Sequence, residues 1–359
     1  MKIAIFGTRG IPNHYGGFEQ FAQYLSEGLC KLGHEVYVYN SHNHPYQDKK
    51  WNKVNIIHCY DPEFKLGTIG QFIYDLNCTI DSRKRNFDVI LQLGYTSSSV
   101  WNWLFKSKPK LFTNMDGLEW KRTKFSKVVS LFLKYAEKLA VKHSDVLISD
   151  SLGIQTYIEQ KYSKKSIYIP YGANSFRSPN RDILNDFHLL PYEYDMLIAR
   201  IEPENNVKAI IDAFVSTNTT RKLIVVGKMN TKLAYEIKSY IDDSRVVFLG
   251  YVNDIVILNN LRYYSNLYFH GHTVGGTNPS LLEAMASGAL ICAHKNIFNS
   301  SILEHDAFYF ENQEQLIFAI QNYHKSDYPH LCSKNLEKIE NTYYWNKIIS
   351  DYEQLLTGF

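Results

Sequence analysis

The chain has 359 residues, of which 45% are hydrophobic and 14% aromatic, and this length predicts two domains of roughly 150 to 180 residues each. Lysine and arginine number 39 against 36 acidic residues, so the net charge of +3 argues against nucleic-acid binding. The N-terminal apolar run is too short for a signal peptide, and no stretch approaches the ~20 apolar residues of a membrane span. We therefore expect a cytoplasmic protein whose five cysteines stay reduced.

Short apolar runs alternate with helical stretches in two successive series. Predicted strands of the first series span residues 2–6, 35–39, 54–58, 88–93, 110–114, 145–149 and 166–170. Those of the second span 195–199, 222–226, 245–250, 266–270, 289–293 and 307–310. This alternation predicts the α/β class, with two Rossmann-like, doubly wound domains. Ligands of such sheets bind at the carboxyl ends of the strands, so we expect a site in a cleft that both domains face.

The first turn between strand and helix is FGTRGIPNHYGGFEQFAQYL, residues 6–25. It lacks G-x-G-x-x-G, and the second strand is predicted to end at Asn40 instead of an acid, which argues against a dinucleotide oxidoreductase. Gly16 and Gly17 precede a helix predicted to begin near Phe18, where free backbone N–H groups and the helix dipole favour an anion. An ordinary loop that needs positive φ at glycine is an equally good interpretation.

Residues 121–142 contain seven basic residues and a single acid, Glu137. We expect the basic face of this helix to rest on anionic lipid, at ~1 kcal/mol for each lysine or arginine close to the surface. A solvated helix face is the alternative. Trp101 and Trp103 suit membrane-interface anchors or a core position. The apolar stripe predicted to face the core consists of Val128, Phe132, Tyr135 and Leu139.

Residues 171–191 are rich in Gly, Pro, Asn and Asp and predict a linker between domains. We place the first domain at 1–174 and the second at 175–342. Three helical patterns follow the last predicted strand. The final one, about 343–359, is amphipathic, with apolar residues at Trp345, Ile348, Ile349, Tyr352 and Leu355.

Arg200 directly follows the first predicted strand of the second series. A guanidinium at a strand end can form paired hydrogen bonds to two phosphate oxygens. A salt bridge to Glu202 or Glu204 is the alternative. Residues 203–206 predict a helix start at which Asn205 or Asn206 is the cap.

The segment HTVGGTNPSLLEAMASG, residues 272–288, predicts a glycine turn followed by a helix over 279–287. Asn278 suits the N-cap, Pro279 the first helical position and Gly288 the helix stop. Gly275 and Gly276 would bring backbone amides close to a phosphate, and Glu283 would accept hydrogen bonds from ribose hydroxyls. The alternative is a solvated glutamate. Spacing predicts an opposite, buried side formed by Leu281, Leu282, Ala284, Met285 and Ala286.

No metal site or cofactor is expected. Asp-x-Asp does not occur, and the H-x-H pair His270 and His272 has no third ligand nearby in the sequence. Motifs of serine hydrolases and P-loop proteins are also missing.

Three segments, ARIEPENN (199–206), GYVND (250–254) and NPSLLEAMASGALI (278–291), resemble the retaining glycosyltransferases of family 4, whose two-domain fold is called GT-B. The segments GTRGIPNHYGGFE (7–19), NMDGLEWKR (114–122) and HTVGGTNPSLLEAMASG are similar to bacterial rhamnosyltransferases of polysaccharide synthesis. The resemblance implies that Glu283 binds the nucleotide ribose and Arg200 the diphosphate. Gly275 replaces the first glutamate of the family's Glu-x7-Glu signature, and Asn205 replaces its usual lysine.

The same resemblance implies metal-independent transfer of a sugar with retained configuration. It favours L-rhamnose from dTDP-rhamnose over a UDP-sugar, with a lipid-linked sugar acceptor at the cytoplasmic membrane face. The departing diphosphate would take the acceptor's proton, so no protein nucleophile is required. The C-terminal helix would cross back onto the N-terminal domain.

Residue roles follow from matching motifs. The reacting sugars and diphosphate are assigned to Asp116, Arg200 and His272. Further donor contacts are assigned to Gly16, Gly17, Asn205, Tyr251, Val252, Gly275, Gly276, Thr277, Asn278 and Glu283, and acceptor contacts to Glu19, Glu119 and Arg122. Two alternatives remain open. A GT-B nucleotide-sugar epimerase would turn over the donor without acceptor, and an inactive binding partner in a polysaccharide assembly complex would bind without transfer.

Overall fold

The computed structural model describes residues 1–14, 16–105, 109–122, 125–240 and 242–358. Its first sheet has the strand order β3-β4-β2-β1-β5-β6-β7-β8, and every neighbouring pair is parallel except β3 with β4. The strands are β1 (Lys2–Phe6), β2 (Glu35–Ser41), β3 (Lys50–Trp51), β4 (Val54–Cys59), β5 (Val89–Leu93), β6 (Lys110–Asn114), β7 (Val146–Ser149) and β8 (Ile167–Tyr168).

Helices join the parallel strands of this sheet. They are α1 (Gly17–Lys31), α2 (Glu63–Leu66), α3 (Thr68–Ser82), α4 (Lys127–His143) and α5 (Leu152–Tyr162). Two short 3₁₀ helices span Ser99–Leu104 and Glu119–Lys121. Ser126 and Ser151 cap α4 and α5, because each hydroxyl accepts a hydrogen bond from the backbone N–H three residues on.

The second sheet is entirely parallel and has the order β11-β10-β9-β12-β13-β14. Its strands are β9 (Tyr194–Ile198), β10 (Lys222–Val226), β11 (Val246–Gly250), β12 (Tyr268–His270), β13 (Ile291–His294) and β14 (Phe308–Phe310). The helices that follow β9 along the chain are α6 (Val207–Val215), α7 (Lys232–Tyr240), α8 (Ile255–Tyr264), α9 (Pro279–Ala286), α10 (Ile297–Leu303), α11 (Gln313–Asn322), α12 (Pro329–Asn341) and α13 (Trp345–Thr357), the last of which packs in the first unit.

Both predicted series of strands are confirmed within a few residues at each end, as is the doubly wound α/β class. The antiparallel edge strand β3 was not predicted, since two residues are too few to show an alternating pattern. The predicted linker also contains structure, because a 3₁₀ helix spans Arg181–Phe187 and buries Leu184.

The chain divides into two compact units. The first contains Met1–Lys121, Phe125–Tyr171 and Trp345–Phe359, and the second contains Arg122–Lys124 and Gly172–Tyr344. Helix α13 packs on α1 within the first unit. Trp345 stacks on Tyr24 with ring centroids 4.5 Å apart, and the buried Tyr352 packs edge-on against Phe21 and accepts a hydrogen bond from Asn114. The final helix is therefore part of the first unit's core.

The prediction of which face of α4 is buried is wrong. The residues buried by this helix are Leu133, Ala136, Glu137, Ala140 and Val141, whereas Val128 and Tyr135 are exposed and Phe132 and Leu139 are half-buried. The buried face includes the carboxylate of Glu137, which accepts hydrogen bonds from Trp120, Tyr157, Lys161 and Tyr162. The prediction relied on the spacing of apolar residues and therefore did not place the charged Glu137 on the buried face. Among the described residues, no helix has the length and apolar character needed to cross a bilayer.

Candidate functional site

The strand order of the second sheet reverses between β9 and β12, which is the topological switch point of this sheet. The loop after β9 and the loop after β12 leave the sheet at its carboxyl edge, on the two sides of that point. They are joined closely, because a Cβ on Gly271 would lie only 2.2 Å from the carbonyl oxygen of Asn205. Asn206 Nδ2 also donates to Gly271 O (2.8 Å), and Thr273 N donates to Glu204 O (2.9 Å). The two loops therefore form one rigid rim.

Arg200 lies in the loop after β9, two residues beyond the strand. Its side chain is exposed and has no hydrogen bond or ion pair with any described residue. The alternative salt bridge to Glu204 is not formed, since that buried carboxylate lies 3.5 Å from the guanidinium of Arg122. The guanidinium of Arg200 is thus available for an anion.

Neither asparagine of this loop caps a helix as the sequence predicted. Asn205 is buried and donates from Nδ2 to the carbonyl oxygen of Arg200 (2.8 Å). Asn206 occupies the N-cap position of α6 with φ of 52°, but its side chain accepts no capping hydrogen bond and instead binds Gly271. Both amides fix the backbone around Arg200. A lysine at position 205 would lack this amide contact.

The turn after β12 places unpaired amides beside α9. Gly275 has φ of 144°, which strongly favours glycine. Among the residues that the structure describes, nothing accepts a hydrogen bond from the backbone N–H of Gly275 or Gly276. The predicted helix start is confirmed, because Asn278 Oδ1 accepts from Ser280 N (3.0 Å) and Pro279 is the first helical residue. The predicted stop at Gly288 and the buried side of α9 are also confirmed.

Glu283 is not a freely solvated carboxylate. Its side chain is 19% exposed, and Oε2 accepts a hydrogen bond of 2.5 Å from Arg262 on α8. Arg262 was not identified from the sequence, because an arginine between Leu261 and Tyr263 looks like an exposed position of an ordinary helix. The acid proposed to bind a ribose therefore has a buried cationic neighbour that only the structure identifies.

Two histidines with stacked rings lie at the end of β12 and just after it. The rings of His270 and His272 are nearly parallel, with centroids 4.3 Å apart. Burial lowers the pKa of His270 well below its usual range, with His272 adding to this effect. Burial, then the nearby positive charges of Arg200 and Arg122, lowers the pKa of His272 to about 3. Both imidazoles are therefore neutral at physiological pH, and His272 is a hydrogen-bonding group instead of a cation.

The backbone of His272 is fixed from a third strand. Its carbonyl oxygen accepts hydrogen bonds of 3.0 Å from Nδ2 of both Asn296 and Asn299, at the start of α10 after β13. Asn296 also caps that helix by accepting from Phe298 and Asn299. These two asparagines were not identified from the sequence, since Asn296 resembles a simple cap and Asn299 a helix interior.

Tyr251 and Val252 follow β11 on the outer side of the same sheet edge. Tyr251 is 52% exposed, and its hydroxyl donates to Asn253 Oδ1 (3.1 Å). Lys228 Nζ, which follows β10, lies 4.7 Å from the centroid of the Tyr251 ring. An exposed aromatic face next to a cation can stack on a nucleotide base.

In the first unit, Gly16 and Gly17 form the start of α1, as predicted. Gly16 has φ of −169°, so the alternative of a loop that needs positive φ does not apply to it. The buried carboxylate of Glu19 lies in the first turn and accepts a hydrogen bond from Arg9 N (2.9 Å). Its negative charge opposes an anion at this helix end. Glu19 therefore braces the first loop from within.

The same loop is held by Asn40, the residue that argued against a dinucleotide site. Asn40 is buried near the end of β2, where Nδ2 donates to Ile11 O (2.8 Å) and Oδ1 accepts from Ile11 N (3.1 Å). A Cβ on Gly10 would lie 2.3 Å from the Asn40 side chain. Asn40 thus has a structural function that explains why an amide occupies this position.

Asp116 and Glu119 lie after β6 at the carboxyl edge of the first sheet. Both side chains are half-buried, and Asp116 contributes, after burial, to raising the pKa of Tyr171. The following Trp120 donates from Nε1 to Glu137 (3.0 Å), which ties this segment to α4. The proposed site residues thus form one group in each unit. Arg122 is the exception, since it clusters with the second unit.

Two family models match the chain. Residues 1–174 match a domain of unknown function, DUF1972, and residues 193–339 match glycosyl transferases group 1. Residues 193–339 lie in the second unit, which is therefore similar to group 1 glycosyl transferases. No curated protein matches the sequence significantly.

Solved structures match the whole chain. Sucrose-phosphate synthase from Thermosynechococcus elongatus is 17% identical with a TM-score of 0.80, covering 99% of this chain and 98% of that chain. Anabaena HepE, solved with UDP and glucose, is 17% identical with a TM-score of 0.78 and full coverage of both chains. WaaG, a glycosyltransferase involved in lipopolysaccharide biosynthesis, is 13% identical with a TM-score of 0.74, covering 99% of this chain and 100% of that chain. The chain thus shares the two-domain GT-B fold of these structures.

The lowered pKa of His272 predicts that the free energy of unfolding decreases at acidic pH. The unfolded chain takes up this proton below about pH 6.5, but the folded domain does so only near pH 3, so folding loses stability as the pH falls through this window. His272→Gln should remove that loss, and the variant should gain about 2 kcal/mol relative to wild type between pH 7.5 and pH 5. Urea unfolding at both pH values measures the gain. The exposed His305→Gln is the control and should show no comparable gain. The same stability difference between His272→Gln and wild type at both pH values would contradict an imidazole that stays neutral in the folded domain.

Proposed function

We propose that the protein is a metal-independent glycosyltransferase whose second unit binds a nucleoside diphosphate sugar. The observation that supports this is the Arg200 guanidinium on the same rim as the backbone amides of Gly275 and Gly276, all three without a hydrogen-bond partner in the part of the chain that the structure describes. A forked cation and free N–H groups at a sheet switch point suit a diphosphate. The match to group 1 glycosyl transferases and the UDP complex of Anabaena HepE favour a nucleotide-sugar donor.

The remaining donor contacts follow the sheet edge. Glu283 would accept hydrogen bonds from the ribose, and Tyr251 with Val252 would contact the base. Thr277 and Asn278 continue the rim into α9, and Asn205 supports Arg200 from behind. His272, neutral and next to Arg200, would donate or accept a hydrogen bond at the transferred sugar.

The proposed reaction moves L-rhamnose from dTDP-rhamnose with retention of configuration. The bond from the sugar's C1 to the β-phosphate oxygen breaks, and a bond from the acceptor hydroxyl oxygen to C1 forms on the same face. The acceptor's proton passes to the departing phosphate oxygen. Arg200 and the glycine amides would stabilise the charge that develops on that phosphate. UDP is the second candidate donor nucleotide.

The acceptor is proposed to bind the first unit, where Asp116 and Glu119 supply half-buried carboxylates at the sheet edge. Gly16 and Gly17 would let a sugar approach the backbone at the start of α1. Glu19 and Arg122 are proposed to act indirectly. Glu19 holds the first loop, and Arg122 approaches the buried Glu204.

We infer a lipid-linked acceptor at the cytoplasmic membrane face from the exposed side of α4. Val128 and Leu131 are 75% and 66% exposed, and Tyr135 is exposed beside Lys127, Lys134 and Lys138. Trp103 is 63% exposed on the neighbouring 3₁₀ helix. Large apolar residues among lysines are typical of helices that lie in a membrane interface. Residues 123 and 124 of the basic segment lie outside the described residues.

Arg200→Ala should weaken nucleoside diphosphate binding by about 10- to 100-fold, the usual effect of removing hydrogen bonds to a charged group. Calorimetric titration with UDP, dTDP and GDP, without divalent ions, measures this loss and identifies the base. Arg181→Ala, an exposed arginine elsewhere in the same unit, is the matched control.

The best-binding nucleotide then defines the donor for a transfer assay with a lipid-linked glucose or N-acetylglucosamine. The proposal predicts an acceptor-dependent product with retained configuration. Donor epimerisation without acceptor would favour the epimerase alternative, and binding without turnover would favour the inactive partner. Unchanged affinity in Arg200→Ala would remove this residue from the site.

Combined replacement of Lys127, Lys134 and Lys138 by alanine should lower partition onto phosphatidylglycerol-containing vesicles by roughly fivefold per lysine. Sedimentation with vesicles at low and high salt measures this partition. The control replaces Lys84, Lys164 and Lys165, three exposed lysines on other parts of the first unit. Equal losses in both triple variants would mean that net charge matters and α4 does not.

A further inference from the structure

Arg262 is one of the most deeply buried side chains of the molecule. Its guanidinium is 1% exposed and makes two hydrogen bonds, one to Glu283 Oε2 (2.5 Å) and one to Asn259 Oδ1 (2.9 Å). Its Nε–H finds no acceptor among the described residues. The hydroxyl of the buried Tyr268 lies close by, and Arg262 acts to lower the pKa that burial raises there.

This burial is expensive for stability alone. A guanidinium removed from water is costly even when paired, and an unmade hydrogen bond at Nε adds to that cost. Replacing buried ion pairs by apolar side chains is often neutral or stabilising. A helix that only needed to pack would therefore place leucine or methionine at position 262. A guanidinium at this position instead gives the neighbouring carboxylate a partner of fixed geometry.

Further polar contacts join α8 and α9 around this ion pair. Asn259 Oδ1 accepts a hydrogen bond from Arg262 (2.9 Å). The Ser287 hydroxyl on α9 lies 3.1 Å from Asn259 Oδ1 and 2.7 Å from the carbonyl oxygen of Glu283, and its single proton goes to one of these two oxygens. The side chain of Glu283 is thus tied to α8 through Arg262 and Asn259. These contacts restrict the rotation of α9 and the direction of its single acid.

We propose that Arg262 is a positioning residue for ribose recognition, which holds the Glu283 carboxylate in the one orientation that accepts hydrogen bonds from the nucleotide's ribose hydroxyls. The Glu283 side chain is 19% exposed, so a ligand can reach it. This inference rests on the proposed function, because it assigns a second residue to the same nucleotide site.

The test compares nucleotides with and without sugar hydroxyls. Calorimetric titration compares dTDP with 2′,3′-dideoxythymidine diphosphate, which lacks the 3′-hydroxyl, and UDP with 2′,3′-dideoxyuridine diphosphate, which lacks both hydroxyls. Wild type should prefer the hydroxylated ligand by about tenfold. Glu283→Gln and Arg262→Met should each reduce this preference to about twofold or less, and the double variant should lose no more than either single one.

A structural role alone would lower affinity for both ligands equally and leave the preference unchanged. Arg221→Met is the matched control, because Arg221 forms a buried ion pair with Asp195 (3.0 Å) in the same unit, away from Glu283. It should lower thermal stability and keep the ribose preference. Arg262→Lys restores charge without the forked geometry and should recover only part of the preference.

If Arg262→Met does not fold, Asn259→Ala and Arg262→Lys take its place, and both should show an intermediate preference. Full preference in the folded Arg262 and Asn259 variants, with a loss in Glu283→Gln, overturns the inference and leaves the proposed function intact. Full preference in Glu283→Gln overturns the assignment of Glu283 to the ribose, and the proposal for Arg262 with it.

Discussion

The candidate site depends on the close approach of two backbone loops at Gly271. A side chain there would overlap the carbonyl group of Asn205, so only glycine lets the turn after β12 pack against the loop after β9. Hydrogen bonds from Asn206 and Thr273 then fix the two loops together. Arg200 and the amides of Gly275 and Gly276 belong to one rim for this reason, although 75 positions of sequence separate them. The rim is set before any ligand binds, which is what a site for a developing charge requires.

Arg200 supplies the positive charge that this rim offers to an anion. It forms no ion pair with an acid among the described residues, since Glu204 is turned inward toward Arg122. The two histidines are neutral, so they add no positive charge that would hold a product tightly. Glu283 would repel a phosphate if it were isolated, but Arg262 balances its charge from the buried side. Such an arrangement can hold a diphosphate near Arg200 and a ribose near Glu283 without conflict between them.

Sequence reasoning succeeded where local chemistry decides structure. The cap at Asn278, the proline after it, the stop at Gly288 and the buried side of α9 follow from neighbouring residues, and all of them are confirmed. It failed where a distant partner decides. Asn205 and Asn206 turn their side chains to carbonyl groups instead of capping a helix. Helix α4 buries Glu137 because hydrogen-bond donors from elsewhere in the first unit, among them Trp120 and Tyr157, meet its carboxylate. The role of Arg262 was not predicted for the same reason, since no residue of α8 indicates that Glu283 of α9 lies next to it.

The most direct test of the account is a crystal soaked with the sugar nucleotide that binds best, in buffer that contains a chelator. The account predicts that the diphosphate lies within hydrogen-bond distance of the Arg200 guanidinium and the amide of Gly275 or Gly276, with the ribose against Glu283. A diphosphate bound elsewhere, or one that binds at this rim only when a divalent ion is supplied, would contradict it.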